Sequence, residues 1–278
     1  MRVEPISTNN YRKNPNFKNW HRTVLKNVSI PGVEDVLHRN RTYFFRNTHF
    51  WPRLCNFLMK VYKDVPKVNV YCYGCSDGSE PFTFIMQMLS SYQEEAVKFF
   101  PIMAKDYDSF AIEKARSNNF EMTVSERDNI NTFTHGKYQC FIDEKEKFSI
   151  ETRTANVAIK KELYDFVDFD VADILTDYKN ILPDNTVVFA RNFWPYLTRD
   201  IAWSVQKNLL NNLYQQLGKN SYLVIGEFDN YDSKGEIKRM IKKAGFVKTS
   251  IENVYKKVSE KDKRTRLGFF KKVLEIFK

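Results

Sequence analysis

Acids, amides and glycines recur in this chain at one kind of place, the point where a β-branched or aromatic run stops. Residues 70–81 read Val-Tyr-Cys-Tyr-Gly-Cys-Ser-Asp-Gly-Ser-Glu-Pro. The run predicts a strand, then a tight turn through Gly74 and Gly78, then a helix opening at Glu80 and Pro81. An acid and a proline suit a helix's first turn, by the helix dipole and by a backbone donor that is not needed there. Strand, glycine turn and helix is how α/β proteins bring backbone amides close to a nucleotide-like ligand. Later runs end at Asp106, Asp173-Ile174, Asn192-Phe193 and Gly226-Glu227. A carboxylate accepts several hydrogen bonds at once, so Asp106 is the expected partner for the vicinal hydroxyls of a ribose.

The turn excludes two common ligands. It lacks the third glycine of a dinucleotide fingerprint, and no lysine follows to hold a phosphate as in a P-loop. S-adenosylmethionine fits better, because it needs a clamp for an amino acid, an acid for a ribose and an adenine pocket, with no phosphate cradle. Cys72 and Cys75 form a CxxC, but no second CxxC or histidine pair completes four zinc ligands, so no metal is expected. They read as a buried strand residue and a small turn residue.

Positioning these groups requires alternating elements. Strands are predicted over 68–73, 97–104 (with Pro101 at an edge or bulge), 166–171, 186–190 and 222–225, with closing strand material over 247–258. Helices are predicted over 80–92, from 109, over 200–217 and over 234–244; a short one falls at 33–37. One more, capped by Asn47 or Thr48, carries Phe50, Leu54, Phe57, Leu58 and Val61. This βαβα order predicts an α/β, doubly wound, mostly parallel sheet with right-handed crossovers. Residues 118–161 interrupt it as an insertion with short alternating pieces at 138–142 and 148–152, read as a small β unit. The expected organisation is an N-terminal helical region over 1–64, a catalytic domain over 65–258 and a basic amphipathic helix within 259–278.

A chain of 278 residues, 42% hydrophobic and 28% charged, can bury a substantial core. No apolar run reaches the roughly 18–20 residues that span a bilayer, and the first 19 residues lack a secretion signal's apolar centre, so the expected compartment is the cytoplasm. A net charge of +10 favours an anionic partner, whether acidic protein, nucleic acid or small ligand.

Four blocks, in order, resemble the chemotaxis-receptor glutamate methyltransferase family, CheR. Asn40-x-Thr42-x-Phe44-Phe45-Arg46 is similar to its N-x-T-x-F-F-R, and Gly74 to Pro81 to its small-residue loop ending G-E-E-P. Ala104 to Asp108 with Glu113-Lys114-Ala115 resembles S-D-I-D…L-x-x-A, and Arg191-Asn192-x-x-x-Tyr196-Leu197 resembles R-N-x-x-I-Y-F. The resemblance spans residues 38–250 and implies a seven-stranded Rossmann-like methyltransferase sheet. It also implies cofactor contacts from Asn40, Thr42, Arg46, Glu80, Asp106, Asp173, Ile174, Asn192 and Phe193, with Gly74 and Gly78 shaping the loop. Arg46 would meet the methionine carboxylate, Glu80 its ammonium and Asp106 the ribose; Asp173-Ile174 would flank adenine, and Asn192-Phe193 the sulfonium. The products would be a methyl ester on an acidic protein, such as a chemoreceptor-like helix, and S-adenosylhomocysteine. Three features depart from the pattern: Ser79 replaces the first acid of G-E-E-P, Gly226-Glu227-Phe228 stands where G-H-S is usual, and the region before Asn40 is short.

An acceptor glutamate is already ionised at neutral pH and needs no base, only a cation or hydroxyl to hold it, for which Arg53 (or Lys60) and Tyr196 are the candidates. Two kinds of alternative stand beside this reading, the first a methyltransferase that acts on a nucleic acid or a small molecule instead. Asn192-Phe193-Trp194-Pro195-Tyr196 is close to the N-P-P-Y loop of nucleic-acid amino-methylating enzymes, one residue out of register. A non-catalytic methyltransferase fold that binds a partner protein is the other.

Overall fold

The computed structural model describes residues 42–194, 197, 203–229 and 235–258. Helix α1 (Phe50–Val61) precedes β1 (Asn69–Tyr73) and α2 (Ser79–Tyr92), and a 3-10 segment, Gln93–Phe99, leads into β2 (Ile102–Asp106) and α3 (Ser109–Ser117). Then come β3 (Phe120–Thr123), α4 (Val124–Phe133), the single turn α5 (Tyr138–Phe141), β4 (Ile142–Glu144) and β5 (Thr154–Ile159). The remainder comprises β6 (Val167–Val171), the single turn α6 (Ile174–Asp177), β7 (Thr186–Ala190), α7 (Trp203–Gln216), β8 (Tyr222–Ile225), α8 (Glu236–Ala244), β9 (Val247–Lys248) and β10 (Val254–Lys256).

Seven strands form one sheet in the order β6-β2-β1-β7-β8-β10-β9. All pairings are parallel except those of β10 with β8 and β9. The expected doubly wound, seven-stranded α/β sheet is what the chain forms. It winds outward from β1 through β2 to β6, then returns to lay β7 and β8 on the other side of β1. The order therefore reverses between β1 and β7, and ligands of such sheets sit beyond the carboxyl ends of the strands at that reversal.

Both faces of the sheet are covered, which is why its central strands read as nearly continuous apolar runs. Val70, Cys72, Phe189 and Val224 pack against α1 and α2; Tyr71, Tyr73, Val188 and Leu223 pack against α7 and α8. Strands β3, β5 and β4 make a second, antiparallel sheet whose Phe120, Met122, Val157 and Ile159 join the first of these cores. Phe82 of α2 is the hinge of that junction. Its ring lies 6.2 Å from Phe120, 5.0 Å from Tyr164 and 5.8 Å from Phe169.

Several element assignments need correction. The strand expected over 97–104 begins only at Ile102, and residues 93–99 coil into the 3-10 segment with Val97 exposed. Proline 101 thus marks neither an edge nor a bulge: β2 is interior, and the missing N–H falls just before its ladder begins. Helix α1 starts from His49 with no side-chain cap, not from Asn47 or Thr48. Its buried face is Trp51, Leu54, Cys55, Leu58 and Met59, one residue round from the expected stripe. Within 118–161, α4 is a full helix, and residues 138–141 are a helical turn rather than an extended piece. The short helix at 33–37 and the C-terminal helix within 259–278 fall outside the described residues.

Because Phe82 is fully buried where two sheets and α2 meet, Phe82→Ala leaves a cavity that no neighbour can fill. Urea unfolding should show a loss of about 3–5 kcal/mol; a loss below about 1 kcal/mol would mean that the second sheet is not anchored there.

Candidate functional site

The first loop is shaped by its glycines. Gly74 and Gly78 have φ of 70° and 91°, a region that L side chains rarely adopt. A Cβ on Gly78 would lie 2.9 Å from the Phe169 ring, and one on Gly74 3.3 Å from the Phe193 ring. Gly78 thus lets α2 start against β6, and Gly74 lets Phe193 lie on the turn. Between them, the Ser76 N–H donates to Asp106 Oδ2 at 2.7 Å, while the Asp108 N–H donates to Asp106 Oδ1 at 2.9 Å. Each Asp106 oxygen keeps lone-pair capacity for a hydroxyl donor. Burial pushes the Asp106 carboxyl up to about 6, against the pull of these N–H bonds. The Ala172 N–H donates to the Asp106 carbonyl at 2.9 Å, tying the end of β6 to the end of β2.

Glu80, 14% exposed at its side chain, pairs with Arg191 Nη1 at 2.7 Å. Burial raises its pKa, and the charges of Arg191 and Arg46 oppose that rise. Arg191 itself is 4% exposed. Its guanidinium lies 4.8 Å from the Phe50 ring centroid and 4.6 Å from that of Trp51. Its Nη2 donates to Asn47 Oδ1 at 3.3 Å, and Asn47 Nδ2 in turn donates to Glu227 Oε2 at 2.5 Å. A line of polar contacts therefore runs from the start of α2, across the end of β7, to the loop after β8.

The segment carrying Thr42 and Arg46 is held by backbone donors. The Phe44 N–H donates to Glu126 Oε1 at 3.1 Å and the Phe45 N–H to Thr83 Oγ1 at 2.9 Å. Phe44 packs on Phe120 and Phe45 stacks on Phe133. Glu126 is available for this because it also closes a capping box with Thr123 at the start of α4. On the opposite flank, Asp173 caps α6 by accepting from the Leu175 N–H at 2.8 Å, and Ile174 is buried. Asp177 fixes α6 to the sheet, accepting from Tyr73 Oη at 2.5 Å and Lys105 Nζ at 2.8 Å.

The loops after β7 and β8 lock into each other. Asn192 has a left-handed φ of 61°, and its Oδ1 accepts from the Phe228 N–H at 3.3 Å. A Cβ on Gly226 would fall 2.1 Å from that same oxygen, so only glycine fits there. Asp229, fully buried, accepts from the N–H groups of Asn192 at 2.7 Å, Gly226 at 2.7 Å and Trp194 at 3.2 Å. Burial pushes its carboxyl up to about 7 despite these bonds and the nearby Arg191.

Gly74, Gly78, Glu80, Asp106, Asn192 and Phe193 thus meet around the β1–β7 reversal, with the charge of Arg46 acting on Glu80 and Asp173-Ile174 joined through Ala172. Thr42 is half-buried at the start of its segment. Arg53 is exposed and lines a cavity of about 520 Å³ with Asn47, Arg191, Glu227 and Lys238. Asn40 and Tyr196 lie outside the described residues. Sequence reading does not single out Asp229 or Glu126 and takes Asn47 only as a helix cap; the Thr-x-x-Glu box at 123–126 is the one legible signal among them. Cys72 and Cys75 are buried thiols, with Cys72 Sγ 3.7 Å from Glu80 Oε1. The donor set fits a nucleoside that bears an amino acid: a buried carboxylate with room for hydroxyls, an acid for an ammonium, a guanidinium for a carboxylate and an apolar wall.

Removing Arg191 would strand Glu80 in a water-poor site. Arg191→Leu should cost about 3 kcal/mol in chemical denaturation at pH 7.5, and Glu80→Gln added to it should recover much of that loss. Equal stability of the wild type and Arg191→Leu would show that the pair carries no weight.

The chain matches the family model described as CheR methyltransferase, SAM binding domain, over residues 40–247. It is 25% identical over 207 residues to a chemotaxis protein methyltransferase of Borreliella burgdorferi, covering 72% of this chain and 68% of that protein. The chemotaxis protein methyltransferase of Salmonella typhimurium is 21% identical, over 72% of this chain and 63% of the relative. Chemotaxis protein methyltransferase 2 of Vibrio cholerae is 23% identical, over 79% and 73%. The chain thus spans about two thirds of the length of these curated relatives. Neither the family match nor these relatives support the nucleic-acid or the non-catalytic alternative. With the strand-end geometry, the match over residues 40–247 places this chain in the CheR methyltransferase family, as an S-adenosylmethionine-dependent methyltransferase.

Proposed function

We propose that this methyltransferase esterifies the side-chain carboxylate of a glutamate in an acidic, chemoreceptor-like helix. The observation that carries the choice of acceptor is Arg53, exposed on the wall of the 520 Å³ cavity that the loops after β7 and β8 also line. The names of the curated relatives and the net charge of +10 point the same way. In this reading residues 65–258 form the catalytic domain, working in the cytoplasm. Residues 1–64 carry the N-x-T-x-F-F-R motif. Among the described residues no helix is long and apolar enough to cross a membrane.

S-adenosylmethionine supplies a methyl group on a sulfonium, which is electrophilic without further activation. The chain's own residues bind and aim. Arg46, with Asn40 and Thr42, holds the methionine carboxylate, and Glu80 faces its ammonium. Asp106 accepts from the ribose hydroxyls, Asp173-Ile174 flank adenine, and the Asn192-Phe193 loop lies against the sulfonium, where a ring face favours positive charge. Arg53, with the Tyr196 hydroxyl, orients the acceptor carboxylate. Bound there, the cofactor would supply its methyl group to the carboxylate oxygen and be left as the neutral thioether of S-adenosylhomocysteine, the sulfur keeping the electron pair of the broken bond. The acceptor enters ionised, so no proton moves and catalysis is positioning plus partial desolvation.

Calorimetry should show 1:1 binding of S-adenosylhomocysteine that Asp106→Ala abolishes. Ribose hydroxyls donate to the ionised carboxylate, and Asp106 takes up its proton at about pH 6, so affinity should fall as pH drops below 6, by up to about tenfold per unit. A pH-independent affinity between 5 and 8 would remove Asp106 from the ribose.

Transfer of a labelled methyl group to an acidic receptor helix should give a product released by mild alkali, as an ester is. Arg53→Ala should raise the KM for that acceptor about tenfold while leaving S-adenosylhomocysteine affinity unchanged. An alkali-stable product would refute the carboxylate acceptor.

A further inference from the structure

Asp229 bonds to the backbone of both loops that follow β7 and β8, and no ligand contact is assigned to it. It is fully buried, beyond reach of substrate or solvent, so its work must pass through what it holds. One oxygen, Oδ2, accepts from both the Asn192 and the Gly226 N–H at 2.7 Å; the other accepts from Trp194 N–H at 3.2 Å. These donors come from the loops that follow β7 and β8, just beyond their last paired residues, Ala190 and Ile225. A reciprocal bond runs back from the Phe228 N–H to Asn192 Oδ1, and Gly226 is glycine because that amide occupies the space of a Cβ.

We propose that Asp229 is the positioning residue of this methyltransferase, clamping the Asn192-Phe193 loop to the β8 loop so that Phe193 stays on Gly74 beside the sulfonium. Its reach is short and directional. Asn192 takes a left-handed φ of 61°, which asparagine tolerates; the bonds from its N–H to Asp229 and from the Phe228 N–H to its Oδ1 fix where the turn sits, and Phe193 follows from Asn192. An unclamped loop would swing Phe193 off the turn, and the cofactor would lose one wall. A carboxylate suits this task where an amide does not, since it accepts on both oxygens and offers no competing donor. The inference rests on the cofactor orientation proposed above.

The test uses the full chain with S-adenosylhomocysteine as probe. In the wild type, amide exchange followed by NMR should show the Asn192, Trp194 and Gly226 protons protected like those of a central strand. Fast exchange at these three positions would overturn the clamp without any variant having to fold. In Asp229→Asn, one amide nitrogen faces a backbone donor. Its Kd for S-adenosylhomocysteine should rise about tenfold, and the three amide signals should move. The amide signals of β2 should stay at wild-type values, which shows that the sheet remains folded. A folded Asp229→Asn that binds the probe with wild-type Kd sinks the proposal. Failure of the wild type to bind the probe would count instead against the cofactor reading, leaving amide exchange to judge the clamp.

Discussion

A buried ion pair holds the two halves of the site together. Glu80 opens α2 on one side of the strand reversal, and Arg191 follows β7 on the other; their 2.7 Å contact joins the two sides. Such pairs contribute little net stability against a well-packed apolar replacement, because desolvation offsets most of the attraction. What this pair supplies is position. The guanidinium is fixed between Phe50 and Trp51 and also donates to Asn47, so α1, α2 and β7 share one anchor point. With Arg191 occupying one oxygen of Glu80, the other faces Cys72 Sγ only weakly at 3.7 Å and keeps capacity for an ammonium.

The same burial makes the site costly when empty. Asp106 titrates near 6, Asp229 near 7, and Glu80 is raised as well, all by loss of water. A carboxyl whose folded pKa lies above its unfolded value of about 4 retains its proton longer in the native state, so stability falls as pH rises from about 4 through 6 and 7. Near neutrality the protein therefore carries ionised acids that its own fold disfavours. A ligand with a sulfonium, an ammonium and a ribose diol favours the ionised form of Asp106 and Glu80 and offsets that cost. Asp229 has no such ligand and depends on three backbone donors instead. The loops after β7 and β8 are thus bound into the electrostatics of the site rather than hung beside it.

Much of this was legible in the sequence, and the reason is local. Strands buried on both faces show as apolar runs, so β1, β6, β7 and β8 were located within a residue of their bounds, and the residue types at their ends indicated the cofactor chemistry. What escaped was long-range. Nothing near Asp229 announces that it accepts from Asn192, 37 residues away, because a buried acid and a solvated turn acid look alike in a chain. Strand β2 was placed too early because Val97 to Phe100 has strand-like composition, while Pro101 sets where the ladder can begin. Helix α4 was lost for the opposite reason: its sequence is polar, and only the Thr123–Glu126 box and the burial of Ile130 mark it.

The point of departure from the resembled pattern falls on the acceptor side. The loop after β8 must keep Gly226 for steric reasons, but Glu227 stands in place of a histidine, exposed at the cavity wall and bonded to Asn47. An acid about 6 Å from an incoming carboxylate opposes it by about 3 kcal/mol at an effective dielectric constant of 20. Of the three cations among the described residues lining the cavity, Arg191 is engaged by Glu80, and Lys238 lies 3.7 Å from Glu252. Arg53 is the one without a carboxylate at ion-pair distance, which makes it the counterweight to Glu227. A glutamate acceptor is compatible with this wall only if it enters closer to Arg53 than to Glu227. In the proposed reading, the balance between these two residues therefore sets where an acceptor carboxylate could enter the cavity.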